Sequence, residues 1–224
     1  MSQFGWIFEE ARLAVNALIE KFAAEPFFFY SEQDMHAYLY HKLISRRLGK
    51  FLNSMSFGDK TVLVHREYPT LAVYPSRSGG GKRGRFDLAI LHPAHIEESH
   101  WRMQFKKPPY SRHRPIVAFE FGLNTIETER LTHFRKDLER LTNPTNMVER
   151  GFLLFFVRRE DYLPASGLLR VIGKMPETLQ NEFNRERPQN VVIVYAETDA
   201  KSPNRLRLEI IPEDKKSWLH DKIY

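Results

Sequence analysis

The chain has 224 residues, enough for one well-buried domain, and its 42% hydrophobic and 28% charged residues are typical of a folded, water-soluble protein rather than a disordered one. No apolar run approaches the about 20 residues that span a bilayer, and the lack of cysteine excludes disulfides, thiolate zinc sites and cysteine nucleophiles. A net charge of +6 favours an anionic partner. We therefore expect a cytoplasmic protein that does not contact membranes.

Two helices are predicted before residue 50. Apolar residues recur on one face of residues 6–24, which indicates an amphipathic helix. The second helix covers residues 31–48, because the hydroxyl of Ser31 can cap it while the side chain of Asp34 reaches back. Gly49 is expected to close this helix.

Strands and one helix alternate in the middle of the chain. Strands are predicted at residues 61–68, 85–91, 116–122 and 151–158, and a helix at about 124–141. We expect the first of these strands to stop at Pro69. Beyond residue 160, a helix is expected at about 177–185 and strands at 191–197 and 205–211.

The order of these elements predicts the class of fold. From residue 31 to residue 158 the order is helix, three strands, helix, strand, which favours an α/β fold whose mixed sheet is covered by helices on both faces. We expect a single domain over residues 1–224. It would consist of an N-terminal helical extension (1–26), a core (27–160) and a C-terminal extension of helix and strands (161–224).

Two apolar runs each carry one carboxylate. RFDLAIL contains Asp87, and IVAFEFG contains Glu120. A buried carboxylate needs a positive partner or a proton, and two of them on neighbouring strands favour a hard cation such as Mg²⁺, which prefers oxygen ligands. The alternative is a buried pair of acids neutralised by Arg85. Glu32, at the start of its helix, could add a third carboxylate, or it could only stabilise the helix dipole.

Basic segments precede both acidic strands. They carry Arg77, Lys82 and Arg83 in a glycine-rich stretch, and Lys106, Lys107, Arg112 and Arg114 in a proline-rich stretch. These side chains are predicted to contact a nucleic-acid backbone, with a solvated loop as the alternative.

Histidines and aromatic residues near these elements have two interpretations each. His36, on the apolar face of its helix, is interpreted as a core residue rather than a metal ligand. His92, His95 and His100 could bind a transition metal, although they lack a strict ligand spacing. The aromatic run at residues 27–30 is expected to be core rather than a base-stacking platform.

The residues together resemble the PD-(D/E)xK nuclease superfamily. A helix with an early glutamate is followed by HREYPT, GRFDLAIL, IVAFEFG and HFRKDLERL, so the resemblance covers residues 31–158, a little over half of the chain. It implies a restriction-endonuclease-like αβββαβ core. It also implies metal ligands at Asp87 and Glu120, with the helix glutamate of the family at Glu32.

The chain departs from this family at the motif lysine. That lysine would lie two residues after the second acid, where this sequence has Gly122. It is understood to orient the attacking water and to offset developing negative charge. Some members take the basic group from the following helix, which offers Lys136, although helical geometry turns Lys136 away from the apolar stripe. Arg85, on the same strand face as Asp87, is the second candidate.

Two functions follow from the resemblance. The first is a deoxyribonuclease that depends on Mg²⁺ or Mn²⁺ and hydrolyses the phosphodiester bonds of DNA. The second is a catalytically inactive relative that serves as a nucleic-acid-binding, structural or regulatory subunit, with a protein partner or as a homodimer. Gly122 favours the second function, whereas the presence of both buried acids favours the first.

Overall fold

The helices and strands are those of a computed structural model that describes residues 4–50, 52–53, 60–75, 81–97, 113–123, 127–158, 190–199 and 202–211. The α-helices are α1 (Gly5–Ala24), α2 (Glu32–Ile44), α3 (Pro93–Glu97) and α4 (Glu127–Thr142). The strands are β1 (Leu52–Asn53), β2 (Lys60–Thr61), β3 (Val64–Pro75), β4 (Gly81–Leu91), β5 (Pro115–Leu123), β6 (Arg150–Val157), β7 (Val191–Asp199) and β8 (Ser202–Ile211).

A six-stranded mixed sheet organises the molecule. Its strand order is β3-β4-β5-β6-β7-β8, and β1 and β2 form a separate antiparallel pair. The pairs β3–β4, β4–β5 and β7–β8 are antiparallel, whereas β5–β6 and β6–β7 are parallel. The parallel strands are buried along almost their whole length, as expected where helices cover both faces of a sheet. The predicted α/β class with a mixed sheet is confirmed.

Helices α2 and α4 cover opposite faces of the sheet. On β5, the side chain of Glu120 contacts Arg140 of α4, while the ring of Phe121 lies 4.5 Å from the ring of His36 of α2. Because successive residues of a strand point to opposite faces, the two helices must lie on different sides. Strand β5 therefore lies between α2 and α4, the two helices that contribute side chains to the candidate site.

Helix α1 is part of the same core. It packs against α2 and β8, and its Phe22 ring lies 4.9 Å from the ring of Phe156 on β6. Burying large apolar side chains such as these contributes about 1.5–3 kcal/mol each. Residues 1–26 were predicted to be an appended helical layer, and the contacts of α1 integrate that helix into the core. No helix among the described residues has both the length and the apolar character that a membrane span requires.

Several boundaries differ from those predicted. Strand β4 begins at Gly81 rather than at residue 85, so Lys82 and Arg83 lie on a strand and not in a loop. Strand β3 continues through Pro69 to Pro75, with a register shift between Pro69 and Val73, so the expectation that it stops at Pro69 is wrong. The physical reason is its position: among the described strands β3 lies at one edge of the six-stranded sheet, and an edge strand tolerates a proline that donates no hydrogen bond.

Helix α2 ends at Ile44 rather than near residue 48, and a short 3-10 helix follows it at Arg47–Gly49. A Cβ on Gly49 would lie 1.7 Å from the Ile44 carbonyl oxygen, so only glycine fits that turn. Helix α4 agrees with its prediction within a few residues. The helix predicted at 177–185 lies outside the described residues.

Candidate metal centre

Helix α2 presents Glu32 and His36 on one face. They are four residues apart, which places their side chains one turn apart on the same side of the helix. The start of α2 is held by a capping box: the backbone N–H of Asp34 donates to Ser31 Oγ at 3.3 Å, and the Ser31 backbone N–H donates to Asp34 Oδ2 at 2.7 Å. Because Glu32 is the first helical residue, this cap fixes its position relative to the sheet.

The regular pairing of β4 and β5 ends beyond Leu88 and Phe119, and Asp87 lies at this point, which we call the fork. The register of β4 and β5 runs from Leu91↔Pro115 to Leu88↔Phe119 and is not continued at Asp87 and Glu120. Instead, the backbone N–H of Phe121 donates to Asp87 Oδ2 at 2.9 Å. The carboxylate of Asp87 therefore replaces a strand-to-strand hydrogen bond where the two strands diverge, and groups from both helical layers can reach it.

Glu32, His36 and Asp87 converge at this fork. His36 Nε2 lies 3.7 Å from Glu32 Oε1 and 3.7 Å from Asp87 Oδ2, and one ligand atom from each residue lies within 4.8 Å of the other two. These three are the group among the described residues whose donor atoms could hold a metal ion. The set contains two carboxylate oxygens and one imidazole nitrogen.

Glu120 approaches Asp87 from the other side of the fork. Asp87 directly precedes Leu88 on β4, and Glu120 directly follows its partner Phe119 on β5, so the prediction that the two acids lie on adjacent strands is confirmed. Its side chain is 1% exposed; Arg140 Nε lies 2.8 Å from Oε1, and Arg140 Nη2 donates to Oε2 at 3.2 Å. The same guanidinium pairs with Asp137, three residues earlier on α4.

Crowding of these acids shifts their protonation. Burial and the charge of Asp87 raise the pKa of Glu32 to about 7. Burial raises the pKa of Asp137 to about 7, although Arg140 opposes this shift. Burial, the charge of Asp87 and a hydrogen bond with that residue raise the pKa of Glu120 well above its ordinary value. Burial is the largest cause of each shift, so removal from water favours the protonated form of these carboxyl groups.

His36 is buried, and its burial favours the neutral form of the ring. It is 2% exposed, and its Nε2 has no hydrogen-bond partner. Burial lowers the pKa of His36, and the opposing charge of Asp87 does not compensate. The prediction that His36 belongs to the core is correct for its burial, but its ring nitrogen faces two carboxylates.

Glu67 completes the acidic surroundings from β3. It lies at the level of Asp87 in the register of β3 and β4, and its backbone has a φ of 50°, a left-handed conformation that is uncommon for residues with a side chain. Its carboxylate lies 3.8 Å from Arg85, whose side chain is 66% exposed. Arg85 therefore lies at the rim of the site, beside Glu67, and not against Glu120.

The other basic residues predicted for the site are spread over the surface. Lys136 is exposed on α4, Lys82 is exposed on β4, and Arg83 is half-buried. Arg114 pairs with Glu149 at 2.5 Å. The remaining predicted contacts lie outside the described residues: Arg77, Lys106, Lys107 and Arg112.

Three residues of the candidate site were not predicted from the sequence to belong to it. Asp137 and Arg140 stand in the motif HFRKDLERL, from which Lys136 was chosen. A usable signal existed, because Asp137 lies three residues after Phe134 and next to Leu138, within the apolar stripe of α4. The signal for His36 was its spacing of four residues from Glu32.

The expectation that the aromatic residues 27–30 belong to the core is correct for one of the four and wrong for the other three. Phe29 is fully buried, as expected for a core residue, whereas Phe27 and Phe28 are about half exposed and Tyr30 is 90% exposed. His95 lies on α3, and His100 is outside the described residues.

Comparison with known proteins adds no relative: no family model matches the chain, and neither a curated protein nor a solved structure matches it.

Proposed function

We propose that this protein is a metal-dependent nuclease that hydrolyses phosphodiester bonds of DNA at the fork between β4 and β5. The observation that carries the proposal is the convergence of Glu32, His36 and Asp87 within 4.8 Å, with the buried Glu120 on the opposite side of Asp87. Acids and an imidazole gathered where two strands separate form a pocket of negative charge that a divalent cation would neutralise.

The order of elements supports a restriction-endonuclease-like core. In the main sheet and its covering helices, α2 is followed by β3, β4 and β5, and then by α4 and β6. The short pair β1–β2, the five-residue α3 and two short 3-10 helices are inserted between these elements. This is the αβββαβ order that the resemblance implies. Asp87 and Glu120 occupy the two strands on which that family carries its metal-binding acids.

The residues present fit a metal ion. Burial raises the pKa of Glu32 to about 7, and a divalent cation that took the place of its proton would stabilise the carboxylate form. The unpartnered Nε2 of His36 faces the same volume. Bound there, a divalent ion would polarise a phosphate oxygen and lower the pKa of a coordinated water.

Arg140 supplies the positive charge that the family obtains from its motif lysine. Position 122 is glycine, and Lys136 and Arg85 are both exposed. The guanidinium of Arg140 instead lies against Glu120, held in place by Asp137. A cation fixed in this way can offset charge that develops on a phosphate during cleavage, without rearranging first.

A second function is favoured by the same contact. Both oxygens of Glu120 lie close to Arg140, at 2.8 and 3.2 Å, so Glu120 already has a positively charged partner within the protein. If that pair persists when a metal ion binds, the fork would have lost one ligand. The chain would then bind nucleic acid or a partner without cleaving it.

Cleavage assays distinguish the two functions. The full chain is incubated with supercoiled plasmid, with linear and single-stranded DNA, and with RNA, in Mn²⁺ and separately in Mg²⁺. We expect Asp87→Asn and Glu120→Gln each to reduce cleavage of DNA by about 10²-fold or more, as for other groups that stabilise charge in a transition state. Glu139→Gln, an exposed acid on α4, is the matched control and should cleave like wild type.

The nuclease proposal fails if the wild-type chain cleaves none of these substrates with either ion. Binding of nucleic acid in the same samples, measured by fluorescence anisotropy, would then favour the second function.

A further inference from the structure

The Nε2 atom of His36 is buried and has no hydrogen-bond partner among the described residues. The side chain of His36 is 3% exposed. Leaving a buried polar atom unpaired costs about 1–3 kcal/mol, and such atoms are rare in folded proteins. An unpartnered nitrogen therefore indicates that a ligand is to be bound there.

The atoms around His36 identify the class of ligand. Nε2 lies 3.7 Å from a carboxylate oxygen of Glu32 and 3.7 Å from one of Asp87. Protein ligands about 2.0–2.2 Å from a metal ion are separated from each other by about 3–4.4 Å. The two measured separations fit one shared cation.

The chemistry of the three donors limits which cation is preferred. Mg²⁺ takes oxygen ligands and gives up its water reluctantly, so an imidazole contributes little to its binding. First-row transition ions gain from a nitrogen ligand, and their affinity for such sites rises from Mn²⁺ towards Cu²⁺.

We propose that Glu32, His36 and Asp87 form a metal site whose imidazole ligand makes it selective for Mn²⁺ and related transition ions over Mg²⁺. This inference deepens the proposed function and rests on its metal site. It does not depend on hydrolysis, because it concerns binding alone. Glu120, which is engaged by Arg140, is not among the three ligands.

Binding of single ions to the full chain tests the site. The purified protein is titrated by calorimetry with Mn²⁺, Co²⁺ and Mg²⁺ in separate experiments, without nucleic acid. We expect one ion per chain, with Mn²⁺ and Co²⁺ bound about tenfold more tightly than Mg²⁺ or better. His36→Gln should reduce this preference to within about threefold, since an amide oxygen replaces the nitrogen.

His41→Gln is the matched control for this variant. His41 lies five residues further along α2 and is exposed, so its substitution should leave all three affinities unchanged. Equal affinities for Mn²⁺ and Mg²⁺ in wild type would overturn the inference, as would a preference that survives in His36→Gln.

A measurement on the wild-type chain guards against misfolding of the variant. Pulsed EPR of the Mn²⁺ complex detects coupling to a ligand nitrogen, and we expect the modulation of one imidazole. Its absence would overturn the inference even if His36→Gln does not fold. A chain that binds Mn²⁺ through nitrogen but cleaves no nucleic acid would instead contradict only the proposed function.

Discussion

Arg140 is the cation on which the buried carboxylate of Glu120 depends. Glu120 is 1% exposed, and its two oxygens face one guanidinium, which also pairs with Asp137. The pKa of Glu120 is raised by burial and by Asp87, and Arg140 is the group that opposes that rise. At the scale of single residues, the ion pair of Arg140 and Glu120 therefore influences whether Glu120 is charged.

Removing Arg140 should therefore destabilise the fold. Arg140→Met leaves Glu120 buried without its cation, which we expect to lower the free energy of unfolding by about 2–4 kcal/mol, somewhat less than for a fully buried pair because Arg140 is partly exposed. Urea denaturation monitored by circular dichroism measures the change. Adding Glu120→Gln should recover part of the loss, because the uncompensated charge is then removed.

Lys136→Ala is the control for this prediction. Lys136 is exposed on the same helix and should change the unfolding free energy by no more than about 0.5 kcal/mol. If Lys136→Ala lowers the free energy of unfolding as much as Arg140→Met, then any substitution on helix α4 is destabilising. The ion pair with Glu120 would then not explain the effect of Arg140→Met.

The acids of the site could be predicted because a single carboxylate inside an apolar strand is unusual. Asp87 and Glu120 are of this kind, and they lie on adjacent strands. Their basic partner could not be selected, because HFRKDLERL offers several cations and only the rotation of α4 on the sheet decides between Lys136 and Arg140. That rotation depends on packing against β5 and β6, which the local sequence does not encode.

At the scale of elements, helix α2 positions two of the three candidate metal ligands. Its first residue is Glu32, its second turn carries His36, and its start is fixed by the reciprocal hydrogen bonds of Ser31 and Asp34. Loss of the cap would allow the first turn to fray. The positions of both candidate ligands therefore depend on two exposed side chains.

Ser31→Ala should test this dependence. Losing an N-cap hydroxyl costs about 1 kcal/mol of stability, and fraying of the first turn should also weaken metal binding through Glu32. Calorimetric titration with Mn²⁺ measures the second effect. Ser45→Ala, at the other end of α2, is the comparison and should leave the metal affinity unchanged. Equal weakening by both substitutions would argue against a specific role of the cap.

The cap also predicts that the stability of the folded protein depends on pH. Hydrogen bonds from the backbone and side chain of Ser31 lower the pKa of Asp34 below its ordinary 3.8. A depressed carboxyl pKa stabilises the folded state above the unfolded pKa, and the stabilisation is lost as the pH falls through the folded value. Wild type should thus exceed Asp34→Asn in stability at pH 5–6, and the difference should shrink below about pH 3.8. A constant difference between pH 6 and pH 2.5, measured by urea denaturation, would contradict it.

Elements were predictable where their signals are local. The capping box of α2 and the apolar runs of β4, β5 and β6 are contained within short stretches, and all four appear near their expected positions. Strand β3 was cut short at Pro69 because proline usually interrupts a ladder. Its place at the outer side of the sheet, which permits the proline, is a property of the tertiary fold.

At the scale of the whole molecule, charge is distributed unevenly. The chain carries a net charge of +6, yet the fork collects the carboxylates of Glu32, Glu67, Asp87, Glu120 and Asp137. An anionic backbone would be attracted by the surface as a whole and repelled at the fork itself. A bound divalent cation would remove that conflict.

The buried acids predict how stability without metal changes with pH. Burial raises the pKa of Asp137 from its ordinary 3.8 to about 7, so between these values the folded chain binds more protons than the unfolded chain. Its contribution to stability therefore falls as the pH rises through this window, and the loss is complete above about 7. Relative to wild type, Asp137→Asn should become steadily more stable from pH 4 to pH 7.

Comparison with a variant isolates this contribution. Buried histidines such as His36 and His65, whose pKa values are lowered by burial, act in the opposite direction, and they are common to both proteins. Urea denaturation of both chains in the presence of a chelator, at half-unit steps of pH, gives the difference. A difference that does not change with pH would mean that Asp137 keeps an ordinary pKa.

The class of the fold follows from the order of elements, since strands alternating with helices predict a mixed sheet covered on both faces. The pairing of β7 with β6 could not be derived, because it joins residues separated by a long stretch of chain. The same holds for the contact of α1 with β8.

That last contact has a consequence for biosynthesis. Helix α1 leaves the ribosome well before β8, one of the elements that cover it, because most of the given sequence lies between the two. At about 5–20 residues per second, roughly 10–40 s separate the two events. During this interval the apolar face of α1, with Ile7, Val15 and Phe22, lacks one of its native neighbours. We expect a nascent chain of this kind to bind chaperones that shield apolar helices until β8 has been synthesised.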